Sequence, residues 1–102
     1  MNIELLYIDD CPSWQEAGNR VNDALAAAGL DDTEITYRVL RTADHAAAVN
    51  FAGSPTILLD GKDLFPSNPR TSDLACRVYA TPSGLAGMPT TEQLVEALVS
   101  RE

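Results

Sequence analysis

Two sulfur nucleophiles, Cys11 and Cys76, are the side chains around which any chemistry of this 102-residue chain would turn. Cys11 stands in Asp9-Asp10-Cys11-Pro12-Ser13-Trp14, where an apolar run ends and a helical pattern starts. Proline suits the first helical position, because its missing N–H would have no intrahelical partner there. Cys11 then falls at the N-cap, facing unpaired backbone N–H groups and the positive end of the helix dipole. Both favour the thiolate, the form that acts as nucleophile and metal ligand. Asp9 and Asp10 oppose it, since adjacent negative charge disfavours a second anion. Capping alone would be served better by Ser, Asp or Asn, so the functional reading of Cys11 outweighs the structural one. Its position also makes Cys11 the expected more reactive thiol. Ser13 either donates a hydrogen bond to that sulfur or is simply solvated. Cys76 has two balanced readings: a buried free cysteine, or a thiol whose ionisation the neighbouring Arg77 favours.

The elements that must position these residues follow from periodicity. Residues 2 to 8 are a short apolar run with β-formers, as in a strand buried on both faces. From Pro12 onward, Trp14, Ala17, Val21, Ala24, Leu25 and Ala28 recur at helical spacing and make one face, which Gly29 terminates. Trp14 covers that face, with its indole N–H partly solvated. Residues 33 to 40 alternate Ile35, Tyr37 and Val39 to one side and read as a second strand. Thr42 can cap a short helix through about Asn50, in which His45 has a surface role. Residues 55 to 65 place two β-rich pieces around Asp60-Gly61, the signal of a tight hairpin. Thr90 starts a last helix, with Gln93 completing a capping box and Leu94, Val95, Leu98 and Val99 forming the buried stripe. The order is β-α-β-α-β-β-α, a parallel pair extended by antiparallel strands. Residues 66 to 89 fit none of these elements: they hold four prolines, two of the glycines outside the helices, and Cys76. Irregular connections of that length are uncommon and often functional. A short strand or turn around Cys76 to Tyr79 is the only regular structure expected there, with Arg77 and Tyr79 supporting the loop.

Bulk properties narrow the field. One domain spanning residues 1 to 102 is expected at this length. The net charge of −8 opposes binding to a nucleic-acid backbone or to anionic lipid. The N-terminus has neither a basic segment nor a long enough apolar run for a secretory leader, so a cytoplasmic location is expected, where thiols are kept reduced. No phosphate-binding loop, dinucleotide fingerprint or HExxH pattern occurs. With one histidine and two cysteines, a tetrahedral zinc site would have to recruit carboxylates; no cofactor is expected.

The element order, the Asp-Asp-Cys-Pro helix start and Gly53-Ser54-Pro55-Thr56-Ile57-Leu58-Leu59-Asp60-Gly61 together resemble the thioredoxin-like fold family. More narrowly, DDCPSW, GSPTILLDGKD and CRVYATPSGLAGMPT look like small bacterial thioredoxin-like proteins, some of which carry alkylmercury lyase labels. The resemblance implies an α/β fold with a four-stranded mixed sheet and flanking helices. It also implies a cis Ser54-Pro55 bond opening the third strand beside the Cys11 helix start. The chain departs from the family where a resolving cysteine would stand: Trp14 occupies that place. Within this frame the partner of Cys11 is expected to be Cys76, brought back over the site by residues 66 to 89.

Four functions remain in view. In the first, a thiol–disulfide oxidoreductase, Cys11 attacks and Cys76 resolves, acting on protein or small-molecule thiols and disulfides. The second is capture of a soft metal or organomercurial between Cys11 and Cys76, with Asp10 assisting as a base. In the third, Cys11 works with glutathione, whose carboxylates would find only Lys62 and Arg77. The fourth is a non-catalytic interaction module on the same scaffold.

Overall fold

The computed structural model describes residues 2–11, 13–30, 32–65 and 74–100. The elements run β1 (Ile3–Tyr7), α1 (Ser13–Ala27), β2 (Ile35–Val39), α2 (Ala43–Ala47), β3 (Thr56–Leu59), β4 (Lys62–Asp63), β5 (Tyr79–Thr81), β6 (Gly84–Ala86) and α3 (Thr91–Val99). Four strands form a mixed sheet in the order β2-β1-β3-β4. β1 pairs parallel with β2, while β3 pairs antiparallel with both β1 and β4. Among the described residues, the fold is thus mixed α/β with three helices around a four-stranded mixed sheet. Among the described residues, no helix is long and apolar enough to cross a membrane.

The alternation of side chains along β1 and β3 divides the core in two, because successive residues of a strand point to opposite faces. Ile3, Ile57 and Leu59 pack with Val21, Ala24 and Leu25 of α1 and with Leu94 and Leu98 of α3. Leu6 and Leu58 face the other way and pack with Ile8, Cys11, Leu40, Ala46 and Phe51. Central strands covered on both faces read as near-continuous apolar runs, which is why "IELLY" and "TILL" lack polar alternation. Cys11 therefore belongs to the core on the α2 side.

The local signals act where expected. Asp60 and Gly61 both take positive φ, 51° and 85°, the condition for a two-residue turn whose twist matches the flanking strands. Thr42 caps α2 by accepting from the His45 N–H, and Thr90 and Gln93 form a complete capping box at α3. Two details differ from the sequence reading, those of Val99 and of the 66 to 89 connection, and one, at Tyr37, adds to it. Val99 is 56% exposed, because Leu94 and Leu98 hold the centre of the buried face and Val99, like the half-buried Val95, lies at its margin. Tyr37 is exposed on the edge strand β2, yet its ring reaches across α1, where a side chain larger than that of Gly18 would meet its hydroxyl. Part of the 66 to 89 connection is regular: β5 and β6 form a separate antiparallel hairpin, braced at its turn by the Thr81 side chain, which accepts from the Ser83 N–H and donates to the Gly84 carbonyl. The expected first helical residue, Pro12, lies outside the described residues, as do residues 66–73; the helix is continuous from Ser13.

The buried stripe of α3 gives the first test. Leu98→Ala should lower unfolding free energy by about 2–5 kcal/mol, whereas Val99→Ala should change it by less than about 0.5 kcal/mol. Equal losses in urea titrations would show that the α3 face is assigned wrongly.

Candidate functional site

Cys11 and Cys76 are joined in a disulfide across 65 residues of sequence, with their Cα atoms 6.0 Å apart. That separation is within the range a disulfide spans. The two half-cystines differ in environment. Cys11 is 1% exposed, held in the α2-side core at the junction of β1 and α1, where its N–H donates to the Ile8 carbonyl at 3.3 Å. Cys76 is exposed.

Cys76 is brought there by backbone pairing. The Ser54 N–H donates to the Ala75 carbonyl at 2.9 Å, and the Arg77 N–H donates to the Ser54 carbonyl at 2.8 Å. These bonds form an isolated parallel bridge between Ser54 and Cys76. Ser54 is buried and precedes a cis peptide bond to Pro55, as the family resemblance implied. Its hydroxyl accepts from the Ile8 N–H at 3.0 Å. One residue thus ties the end of β1, the start of β3 and the Cys76 segment together. Gly53 has φ 109°, and a Cβ there would come within 2.8 Å of the Arg77 Cβ. Both its conformation and its close approach to the Cys76 segment therefore call for glycine.

Arg77 is a neighbour of Cys76 in sequence but not in direction. Alternation along the extended segment turns it inward, where it is 3% exposed. Its Nη1 donates to Asp63 Oδ2 at 2.8 Å, its Nη2 donates to the Phe65 carbonyl, and its guanidinium lies 4.5 Å from the centre of the Tyr79 ring. The Arg77 charge is therefore committed to Asp63 instead of supporting a Cys76 thiolate, which corrects the sequence expectation. Tyr79 donates its hydroxyl to the Pro55 carbonyl at 2.5 Å. Burial pushes the Tyr79 hydroxyl well above the ordinary tyrosine range; the Arg77 charge pulls it back in part, and the Asp63 carboxylate adds to the rise. Asp63 was missed by the sequence reading, and no local pattern links position 63 to position 77.

The remaining sequence candidates surround this centre. Trp14 stacks on Tyr7 with ring centres 4.2 Å apart and meets Tyr37 edge-on at 5.9 Å, a packing role in keeping with its expected cover of the helix. Ser13 is half-buried and faces Gly87 of the chain that leaves the β5–β6 hairpin. Asp9, Asp10, Arg41 and Leu74 line a cleft of about 170 Å³ with Ile8 and Leu40; Arg41 pairs with Asp9 at 3.3 Å. His45 is exposed on α2, as expected. Among the described residues, no three of His, Cys, Asp and Glu are grouped to hold a metal ion. Compared with protein-family models, curated proteins and solved structures, the chain matches none.

The buried ion pair and its tyrosine carry two expectations. Arg77→Met should cost about 3–5 kcal/mol by leaving Asp63 buried and unpaired, and adding Asp63→Leu should recover much of that loss; strictly additive costs in denaturant titrations would contradict the pairing. Because the folded state holds the Tyr79 proton more tightly than the unfolded chain, this contribution is whole below about pH 10 and drains away as pH rises further. Tyr79→Phe should cost about 1–2 kcal/mol at neutral pH and flatten the alkaline decline of stability. An alkaline limb unchanged by the substitution would show that Tyr79 is not its source.

Proposed function

We propose that the protein is a thioredoxin-like thiol–disulfide oxidoreductase whose redox centre is the Cys11–Cys76 pair. The observation that carries this reading is the disulfide itself: one half is buried at a strand–helix junction, the other faces solvent and is held against the loop of a cis-proline. Exchange requires a thiolate, access to one sulfur and a second thiol to release the mixed disulfide. The pair supplies the second thiol from outside α1, in place of the one that Trp14 displaces from the family's pattern. In exchange, a substrate dithiol gives up two electrons and two protons as the protein disulfide becomes a dithiol. The reverse reaction reduces a substrate disulfide. A reversible bond of this kind suits the cytoplasmic location expected from the sequence.

Glutathione is a poor fit as the partner. Of the two cations that the sequence offered to its carboxylates, Arg77 is buried on Asp63, and Lys62 lies on β4. Arg41, in the cleft beside Asp9 and Asp10, is taken up by its pairing with Asp9 at 3.3 Å.

A second reading has a specific observation in its favour. Once reduced, two thiolates on Cα atoms 6.0 Å apart, with no third ligand grouped among the described residues, suit two-coordinate soft ions such as copper(I) or mercury(II) and their organic derivatives. Native mass spectrometry of the reduced protein decides this: a bound soft ion that requires both sulfurs supports it, and binding that survives either Cys→Ser change removes it.

The redox reading predicts turnover in reduction of insulin or of small aromatic disulfides, lost on Cys11→Ser or Cys76→Ser. Absence of turnover with either thioredoxin-reductase-type or small-thiol reductants would sink it.

A further inference from the structure

We infer that thiols enter and leave this centre at Cys76, and that Cys11 is the internal sulfur that is released and then resolves, the reverse of the order suggested by the position of Cys11 at the helix start. The assignment rests on the exchange reading above and deepens it. A thiolate attacks a disulfide along the S–S axis, from the side opposite the sulfur that departs, so access behind each sulfur decides which can be attacked. An approach to Cys11 would have to come through the packing of Ile8, Leu40, Ala46 and Phe51, among which Cys11 is 1% exposed. Cys76 lies on the outer side of an extended segment. Its neighbours two residues away on the same side, Leu74 and Val78, are exposed at 38% and 55%, while the alternate residues Arg77 and Tyr79 point inward.

The segment is held so that this accessibility does not depend on the disulfide. The two hydrogen bonds to Ser54 and the Arg77–Asp63 pair involve no sulfur. In the opening step, an incoming thiolate RS⁻ bonds to Cys76 Sγ, the S–S bond breaks, and its electron pair leaves on Cys11 Sγ. A second thiolate from the same dithiol substrate then attacks the substrate sulfur of the mixed disulfide; Cys76 leaves as a thiolate, and the substrate departs oxidised. Run backwards, the Cys76 thiolate attacks a substrate disulfide and the Cys11 thiolate attacks Cys76 Sγ, expelling the reduced substrate. Apolar surroundings disfavour the Cys11 thiolate and the nearby helix start favours it; the buried thiolate is in either case shielded from all electrophiles except Cys76.

The test uses the intact oxidised protein and 2-mercaptoethanol, an uncharged monothiol, in limiting amount. After a rapid acid quench, free thiols are capped with N-ethylmaleimide at mildly acid pH, and non-reducing peptide mapping locates both labels. The mercaptoethanol adduct is expected on Cys76 and the maleimide on Cys11, with a bias on the order of tenfold or more. In Cys11→Ser, which lacks the resolving sulfur, the adduct formed on Cys76 by an aromatic disulfide should persist at least about tenfold longer than in the wild type. An adduct on Cys11, or on neither sulfur, overturns the assignment. Turnover measured on the same samples keeps the two readings apart. A Cys76 adduct without turnover removes the oxidoreductase and leaves the order of attack standing. Turnover with a Cys11 adduct does the opposite.

Discussion

The pair of backbone hydrogen bonds that Ser54 makes with Ala75 and Arg77 is the contact on which the rest of the site depends. A sulfur 65 positions along the chain from Cys11 meets it only if the returning segment is fixed in register and in facing. A parallel bridge does both at once. It fixes register because both polar groups of Ser54 are used, and buried backbone groups are costly to leave unpaired. It fixes facing because side chains alternate along an extended segment, so sending Arg77 inward turns Cys76 outward. A one-residue slip would exchange the two, burying the sulfur away from Cys11 and exposing the arginine.

The inward half of that alternation secures the outward half. Arg77 with Asp63, and Tyr79 with the Pro55 carbonyl, anchor the segment to β4 and to the start of β3. A buried pair of this kind adds little net stability over apolar side chains of similar volume, but breaking one partner is costly. Its effect is to penalise every arrangement in which residue 77 points elsewhere. The Nε of Arg77 has no partner and is buried, so the pair is held by its two terminal nitrogens and by the Tyr79 ring. The β5–β6 hairpin continues from this anchor and brings Gly87 against Ser13, so the same stretch of chain touches both sides of the α1 start.

Elements whose signals are local were readable from the sequence: the Asp60-Gly61 turn, the Thr90–Gln93 capping box, the apolar face of α1, and the strand-to-helix junction at Cys11. Each depends on residues within one or two turns of each other. The pairing of Cys11 with Cys76 was expected because the chain has one other cysteine and because of the thioredoxin-like resemblance; nothing in either cysteine's neighbourhood encodes a contact so distant in sequence. Asp63 as the partner of Arg77 was not readable at all, because an exposed hairpin acid and a buried one look alike in sequence. The β5–β6 hairpin left a faint signal, Pro82-Ser83-Gly84, a turn composition; its strands are three residues each, too short for period-two alternation to register. Val99 was misplaced for a different reason: spacing groups it with Leu94, Val95 and Leu98 on one face, and it does not tell that Leu94 and Leu98 hold the centre of that face and Val99 its margin.

The anchoring bonds also determine what the disulfide contributes. Closing a loop of 65 residues disfavours the unfolded chain by about 4 kcal/mol on the loop-entropy estimate. Around a thermodynamic cycle, the same free energy makes the bond easier to form in the folded protein than in the unfolded chain. The fold supplies this preference by holding two distant thiols together. Since the Ser54 bridge and the Arg77–Asp63 pair contain no sulfur, they hold the Cys76 segment against the Ser54-Pro55 loop independently of the disulfide. In the proposed exchange, this fixed placement would make effective concentration the main determinant of how quickly a mixed disulfide on Cys76 is resolved. The proximity of the two sulfurs is thus built from an isolated backbone bridge, a buried arginine and a returning segment, while Trp14, one helical turn beyond Cys11, packs α1 onto Tyr7 and Tyr37.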